Sequence, residues 1–141
     1  MAEATQNRLH VRLVTPDQVF IDGTAEAVVL PSRSGELEAL YGHAPLLAEL
    51  GAGEVRLHGG DIGEQRFFVA RGFVEVLPDR VTILAETAML PSAISKAEAQ
   101  QELERGEKMW NDAGEESKRY REANRVIQEA EARLAASNSA A

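Results

Sequence analysis

The sequence predicts a mainly β protein with an α appendage: an antiparallel β-sandwich over residues 1–90, then an antiparallel two-helix hairpin over residues 91–141. Three observations predict it. Before Pro91 the apolar residues tend to alternate, as they do along a strand with one buried face. The runs are short and punctuated by Gly and Pro, the pattern of a sandwich or flattened barrel. After Pro91 apolar residues recur every three or four positions and glycine becomes rare, so the period switches from strand to helix between Ala88 and Ser95.

Leu9-His10-Val11-Arg12-Leu13-Val14 reads as the first strand, with Leu9, Val11 and Leu13 on one face, and Thr15-Pro16-Asp17 turns it. Val19-Phe20-Ile21 and residues 25–30 read as two more strands, broken at Asp22-Gly23, a dipeptide that takes the positive φ of tight turns. Residues 35–47 form a shaped corner. Leu37 and Leu40 lead in, Gly42 frees the backbone, Pro45 fixes φ and removes a donor, and Leu46-Leu47 is expected to drive the chain back into a core. His43 stands at the tip of that corner. An exposed histidine with no nucleophile or second ligand beside it reads as part of a contact surface, not a catalytic centre. Strands follow at residues 46–50, 55–58, 66–69, 73–76 and 81–84, with turns at Gly59-Gly60-Asp61 and Pro78-Asp79.

Ser95 and Glu98 have the spacing of a capping box, which starts the first helix there. Ala99, Leu103, Gly106 and Trp110 fall on one stripe of it, with Met109 alongside. Gly106 costs about 1 kcal/mol relative to Ala in a helix interior, which marks either close packing or a weak point. Asn111-Asp112-Ala113-Gly114 stops this helix, and a second is expected from about Glu115 to Ala135. Its seam is Tyr120, Ala123, Ile127, Ala130 and Leu134, narrow enough to lie along a partner helix. Trp110 and Tyr120 flank the connecting turn and are expected to pack together. Residues 91–116 carry three basic and seven acidic side chains and residues 117–141 five basic and three acidic, so the helices attract, modestly. Thin, alanine-rich seams make the hairpin the weaker half, able to separate if a partner offers a better surface.

Composition excludes several functions. The chain has 141 residues, 44% of them hydrophobic, enough for one sizeable core. It has no cysteine, which fits a reducing compartment. The net charge of −8 and the lack of a basic run argue against nucleic acid and against direct binding of anionic lipid. The start of the chain is neither a signal peptide nor a transit sequence, and no apolar run approaches the length of a membrane span. His10, His43 and His58 lie in separate segments without metal-ligand spacing, Ser32 and Ser34 have no nucleophile motif, and there is no phosphate-binding loop. A small-ligand sandwich with a self-associating hairpin would need an aromatic concavity, but aromatics make up only 5% of the residues. An autonomous enzyme would need a cluster of titratable groups that the sequence does not offer.

Gly35-Glu36-Leu37 followed by Gly42-His43-Ala44-Pro45-Leu46-Leu47 resembles the signature of the epsilon subunit of the rotary proton-driven ATP synthase. The resemblance continues in Val14-Thr15-Pro16-Asp17, in Gly72-Phe73-Val74-Glu75-Val76 and in the stretch from Val81-Thr82-Ile83-Leu84 to Ala85-Glu86-Thr87-Ala88. It implies a ten-stranded sandwich with a two-helix domain, a non-catalytic rotor subunit in the central stalk of a synthase on the cytoplasmic face of the bacterial inner membrane. The partners it implies are the gamma subunit, the ring of proton-carrying membrane subunits, and the catalytic head through the hairpin. Glu36 would face the polar loops of the ring, His43 would lie near gamma, and Tyr41 is a further candidate for a partner interface. Lys118, Arg119, Arg121 and Arg125 are the candidates for meeting an acidic surface on the head and restraining ATP hydrolysis.

The chain departs from the family pattern at Glu38 and Tyr41, where many members have Gly and Pro, and at Arg71, where they have a small residue. Members that bind ATP resemble Ile/Leu-Asp-x-x-Arg-Ala at the start of the first helix, whereas this chain has Ile94-Ser95-Lys96-Ala97-Glu98-Ala99. With acid and arginine replaced by Ser95 and Glu98, no cofactor is expected and ATP binding is expected to be weak or absent.

Overall fold

The computed structural model describes residues 7–139 and divides into two compact units, the first ending at Met89 and the second beginning at Leu90. The first six residues, read above as neither signal nor transit segment, and the last two of the tail lie outside the described residues.

The first unit contains eight strands: β1 Leu9–Val14, β2 Val19–Ala25, β3 Ala27–Ser32, β4 Gly35–Leu40, β5 Leu46–Glu49, β6 Gly53–His58, β7 Gln65–Leu77 and β8 Arg80–Met89. Strand β1 shows why such a sequence makes a sheet. Leu9, Val11 and Leu13 are buried while His10 and Arg12 between them are exposed, so the period of two places one side of the strand in the core. The strands run β2-β1-β8-β7-β6-β3-β4 across the sheet, with β5 added beside β7.

Strands β7 and β8 are the longest and change neighbours along their length. The first part of β7 pairs with β6 and its last part with β5, while β8 pairs along β7 and, through residues 80–84, with β1. The sequence splits β7 into two strands; the structure carries it through Arg71 (φ 62°) and Gly72 (φ 137°) without a break. The described residues thus hold eight strands where the resemblance implies ten. Every strand pairing is antiparallel except β1 with β8, which are parallel because the whole of the intervening chain returns β8 to the free side of β1.

Two further local expectations are corrected. Asp22-Gly23 is not a turn but the middle of β2, paired with Arg12 and Val11, and the chain bends instead at Glu26. Gly23 is explained by packing, since a Cβ there would stand 3.1 Å from Cγ1 of Ile62. Leu46 and Leu47 do not enter the core either: Leu47 is 72% and Leu46 39% exposed. The interior is filled by other side chains, including Leu30, Val55, Leu57, Val74 and Ile83, with Phe20 edge-on to Phe67 at 6.0 Å.

In the second unit Pro91–Ala93 forms a 3-10 turn that packs on the second of two helices, α1 Lys96–Asn111 and α2 Ser117–Ser139. Ser95 caps α1, its hydroxyl accepting from the Glu98 N–H at 3.2 Å. Ala99 and Gly106 of α1 and Ala123, Val126 and Ala130 of α2 are buried. Close packing is what Gly106 accommodates: a Cβ there would lie 2.8 Å from Cγ1 of Ile127 and 3.1 Å from its backbone nitrogen. Trp110 and Tyr120 meet edge to face, centroids 4.7 Å apart. A two-toothed ion pair between Arg105 and Glu102, at 2.8 and 3.3 Å, holds the Glu102 carboxyl below the usual range, and the charge of Arg133 on α2 adds to the effect against slight desolvation.

Candidate partner-docking surface

The registers of the first unit build one outward row of apolar side chains. Phe73 of β7 faces Leu84 of β8, Leu84 faces Val14 of β1, and Val14 faces Val19 of β2. Phe73 and Leu84 are each 54% exposed and Val19 50%, with Val14 half-buried between them. Alternation explains why they point out: Val74 and Ile83, one residue away from Phe73 and Leu84, are side chains that fill the core. The neighbouring row on the same face runs Leu47, Glu75, Thr82, Arg12 and Asp22. Asp22 receives His10 at 2.7 Å and Arg12 at 3.8 Å, so the apolar row has a polar, charged margin. A contiguous apolar strip with such a rim is the usual mark of a protein contact.

The corner continues the exposed apolar surface. Leu40 and Tyr41 are exposed at one side of it and Leu46 and Leu47 at the other. Gly42, at φ 90°, donates its N–H to the Pro78 carbonyl at 2.7 Å, and the His43 N–H donates to Leu40 at 3.0 Å. The first bond ties the corner to the β7–β8 turn, and the second closes the corner on itself. His43 is half-buried, and its Nδ1 lies 2.6 Å from the Ala44 carbonyl oxygen, so the imidazole is a positioned part of the corner and not an exposed tip.

Glu36 does not join Tyr41 and His43. It lies five residues from Tyr41, at the other end of β4, about 17 Å away at the usual rise of a strand. Its carboxylate meets Arg56 of β6 at 3.1 Å and stays largely exposed.

On the second unit, Lys118, Arg121 and Arg125 lie on the side of α2 away from its buried seam, while Arg119, one turn before Ala123, falls on the seam side at the exposed start of the helix. Arg119 is paired with Glu116 at 3.0 Å and Arg125 with Glu122 at 2.6 Å; Lys118 and Arg121 have no ion pair among the described residues. No acidic side chain lies in the first turn of α2, so these cations sit against the positive end of the helix dipole.

Among the described residues no group of three or more His, Cys, Asp or Glu could hold a metal ion, and no helix is long and apolar enough to cross a membrane. The residues that sequence reasoning missed are Val14, Val19, Leu47, Phe73 and Leu84. A signal was present, because Phe73 shares its strand face with Glu75, and Leu84 shares its own with Thr82 and Glu86. A large apolar side chain alternating in phase with charges is one that faces outward.

Residues 8–91 match the family model of the ATP synthase delta/epsilon chain β-sandwich domain. The chain is similar to the ATP synthase epsilon chain of Alkalihalophilus pseudofirmus, 48% identical over 103 residues, 73% of this chain and 77% of that one. Its fold is similar to a chain of the Euglena gracilis mitochondrial ATP synthase, in an OSCP/F1/c-ring structure, at a TM-score of 0.77 and 17% identity over 92% of this chain and 81% of that one. It is also similar to a chain of the Tetrahymena thermophila mitochondrial ATP synthase central stalk and c-ring, at a TM-score of 0.65 and 13% identity over 94% and 98%.

Proposed function

The chain belongs to the family of ATP synthase epsilon chains, and from that premise we propose that it is a rotor element of the central stalk, coupling proton translocation to ATP synthesis. It is a non-catalytic, accessory subunit of the synthase. The observation that carries the rotor reading is the outward row of Phe73, Leu84, Val14 and Val19 with its polar margin. A coupling subunit must be gripped on one face firmly enough to turn with its partner, and a row of apolar side chains spanning four strands supports such a grip. Gamma is the partner assigned to this face and to the adjoining corner with Tyr41 and His43. Glu36, polar and at the far end of β4, is assigned to the polar loops of the membrane ring. Through these contacts the subunit is held at the cytoplasmic face of a bacterial inner membrane without entering it.

The hairpin is assigned the restraint of ATP hydrolysis. Lys118 and Arg121 support this reading, since both lie near the N-terminal end of the helix, where a cation in the first turn costs about 0.3–1 kcal/mol, and the nearby carboxylates of Glu116 and Glu122 are taken by Arg119 and Arg125. An acidic surface on the catalytic head would supply the offset, with Arg119 and Arg125 joining once their local pairs open. ATP binds weakly or not at all, because Ser95 is occupied as a helix cap and Glu98 would repel phosphate.

Two measurements test the two parts. Gel filtration with gamma should give a stable complex for the natural chain and at least a roughly 30-fold weaker one for Phe73→Ser/Leu84→Ser, two removed apolar anchors; equal affinity removes the docking face. ATP hydrolysis by the reconstituted head should rise when the chain ends at Met89, and an unchanged rate removes the restraint.

A further inference from the structure

The outer edge of β5 is left half-built. Leu50 donates its N–H to the Gly72 carbonyl at 2.9 Å, and partners alternate along an antiparallel ladder, so Ala48 and Leu46 turn their backbone groups toward β7. Leu47 and Glu49 turn theirs away. The Glu49 carbonyl accepts from the Arg33 N–H at 2.9 Å, beside the single bridge between Ser32 and Leu50, and there the pairing with β3 stops. The N–H and C=O of Leu47 and the N–H of Glu49 have no partner among the described residues. Edge strands are ordinarily blunted by shortness, charge, proline or a bulge, and β5 has only four residues between Pro45 and the Arg33–Glu49 ion pair. This one presents Leu46, Leu47 and Ala48 beside an open groove of about 540 Å³, walled on its other side by the turn at Ser32, Arg33 and Ser34.

We infer that the outer edge of β5 takes an extended segment of the partner that covers the apolar row, which adds itself to the sheet as a further strand. The inference rests on the docking reading above, and Leu47 joins the two: its side chain stands in the row next to Phe73 and Leu84, and its backbone supplies the free donor and acceptor. A partner covering the row therefore reaches this edge. What the edge lacks is backbone groups at strand spacing, which a helix cannot offer because its own are already bonded. The occupant is thus an extended run of gamma, free of proline at the position facing Leu47, with a small apolar side chain directed at Leu46 and Ala48. The ion pair of Arg33 with Glu49, at 3.0 Å, closes the far end of the groove and sets where the added strand must stop.

Amide hydrogen exchange on the full chain, alone and bound to gamma, tests this. The Leu47 and Glu49 amides should slow by about 100-fold on binding, while those of Leu46 and Ala48, already bonded to β7, change little. Leu47→Pro removes the outward donor together with the leucine side chain and touches no bond to β7, so it should keep the fold and weaken gamma binding about tenfold more than Leu47→Ser, which removes the side chain alone. Equal binding by the two variants, or unslowed amides in a complex that forms, overturns the added strand while leaving the docking face intact. Protection that appears in the isolated chain as its concentration rises would mean a second copy occupies the edge, and also overturns it. Failure of the natural chain to bind gamma removes the docking reading and the added strand together.

Discussion

Replacing Gly106 with alanine should loosen the helical hairpin, although alanine is the better helix former. In an isolated helix the change is worth about 1 kcal/mol of added stability. Here the new Cβ would stand 2.8 Å from Cγ1 of Ile127, and 3.1 Å from both the Ile127 nitrogen and Cγ1 of Val126. A side chain can turn aside but a backbone nitrogen cannot, so the helices must move apart by a few tenths of an ångström, loosening the seam along its length. Overpacking of this kind costs roughly 1–3 kcal/mol, leaving a net loss of about 1 kcal/mol and an opened fraction about fivefold larger. Trp110 is the chain's single tryptophan and touches Tyr120 at the hairpin turn, so its fluorescence during a urea titration follows this unit. The midpoint should fall for Gly106→Ala, and Ile127→Ala should restore only part of it, because it removes Cγ1 but leaves the backbone nitrogen 3.1 Å from the new Cβ. A raised midpoint, with the full helix propensity realised, would refute the close approach of the two helices. In the reconstituted head, a looser hairpin should also change the rate of ATP hydrolysis, which a purely structural hairpin would leave alone.

Three other outcomes are expected. Gly72→Ala should destabilise the sandwich by roughly 3 kcal/mol or more, since φ is 137° there and a Cβ would overlap the Leu84 carbonyl oxygen; a calorimetric loss under about 1 kcal/mol would contradict the strand path. Glu102 is held below the usual carboxylate range chiefly by its hydrogen bonds with Arg105, so its contribution is complete above that range and is lost as pH falls through the lowered pKa. Hairpin stability, read by Trp110, should therefore drop on acidification below about pH 4.3, by under about 1 kcal/mol for so exposed a pair, and Glu102→Gln should flatten that drop. Calorimetric titration with ATP should give no heat of binding, and a dissociation constant in the micromolar range would overturn the account of Ser95 and Glu98.

What the sequence made legible was whatever local chemistry decides. The period of Leu9, Val11 and Leu13 defined β1 to the residue, and the Ser95 cap placed the start of α1, because each depends on neighbours within a turn or a pleat. Asp22-Gly23 failed for the complementary reason. Its turn propensity is real, but the ladder with β1, the Asp22 pairs with His10 and Arg12, and the packing of Ile62 on Gly23 together outweigh it. The split of β7 between Val69 and Phe73 belongs with it, since the sheet carries the chain through Arg71 and Gly72. In each case a contact distant in sequence overrode a local preference.

The docking surface was hidden for a different reason. Hydrophobicity records that a side chain avoids water and not which neighbour excludes the water, so Leu46-Leu47 after Pro45 has the same composition as a strand entering a core. Only the outward phase distinguishes them. Phe73 in step with Glu75 gave that phase in the sequence, whereas Leu47 stands on a strand of four residues, too short for alternation to declare itself. The same brevity leaves the free N–H and C=O of Leu47 beyond any sequence pattern, because every residue but proline carries them and only the register of β5 on β7 decides which side they face. The chain therefore shows its fold in its pattern and its exposed apolar row in the departures from it.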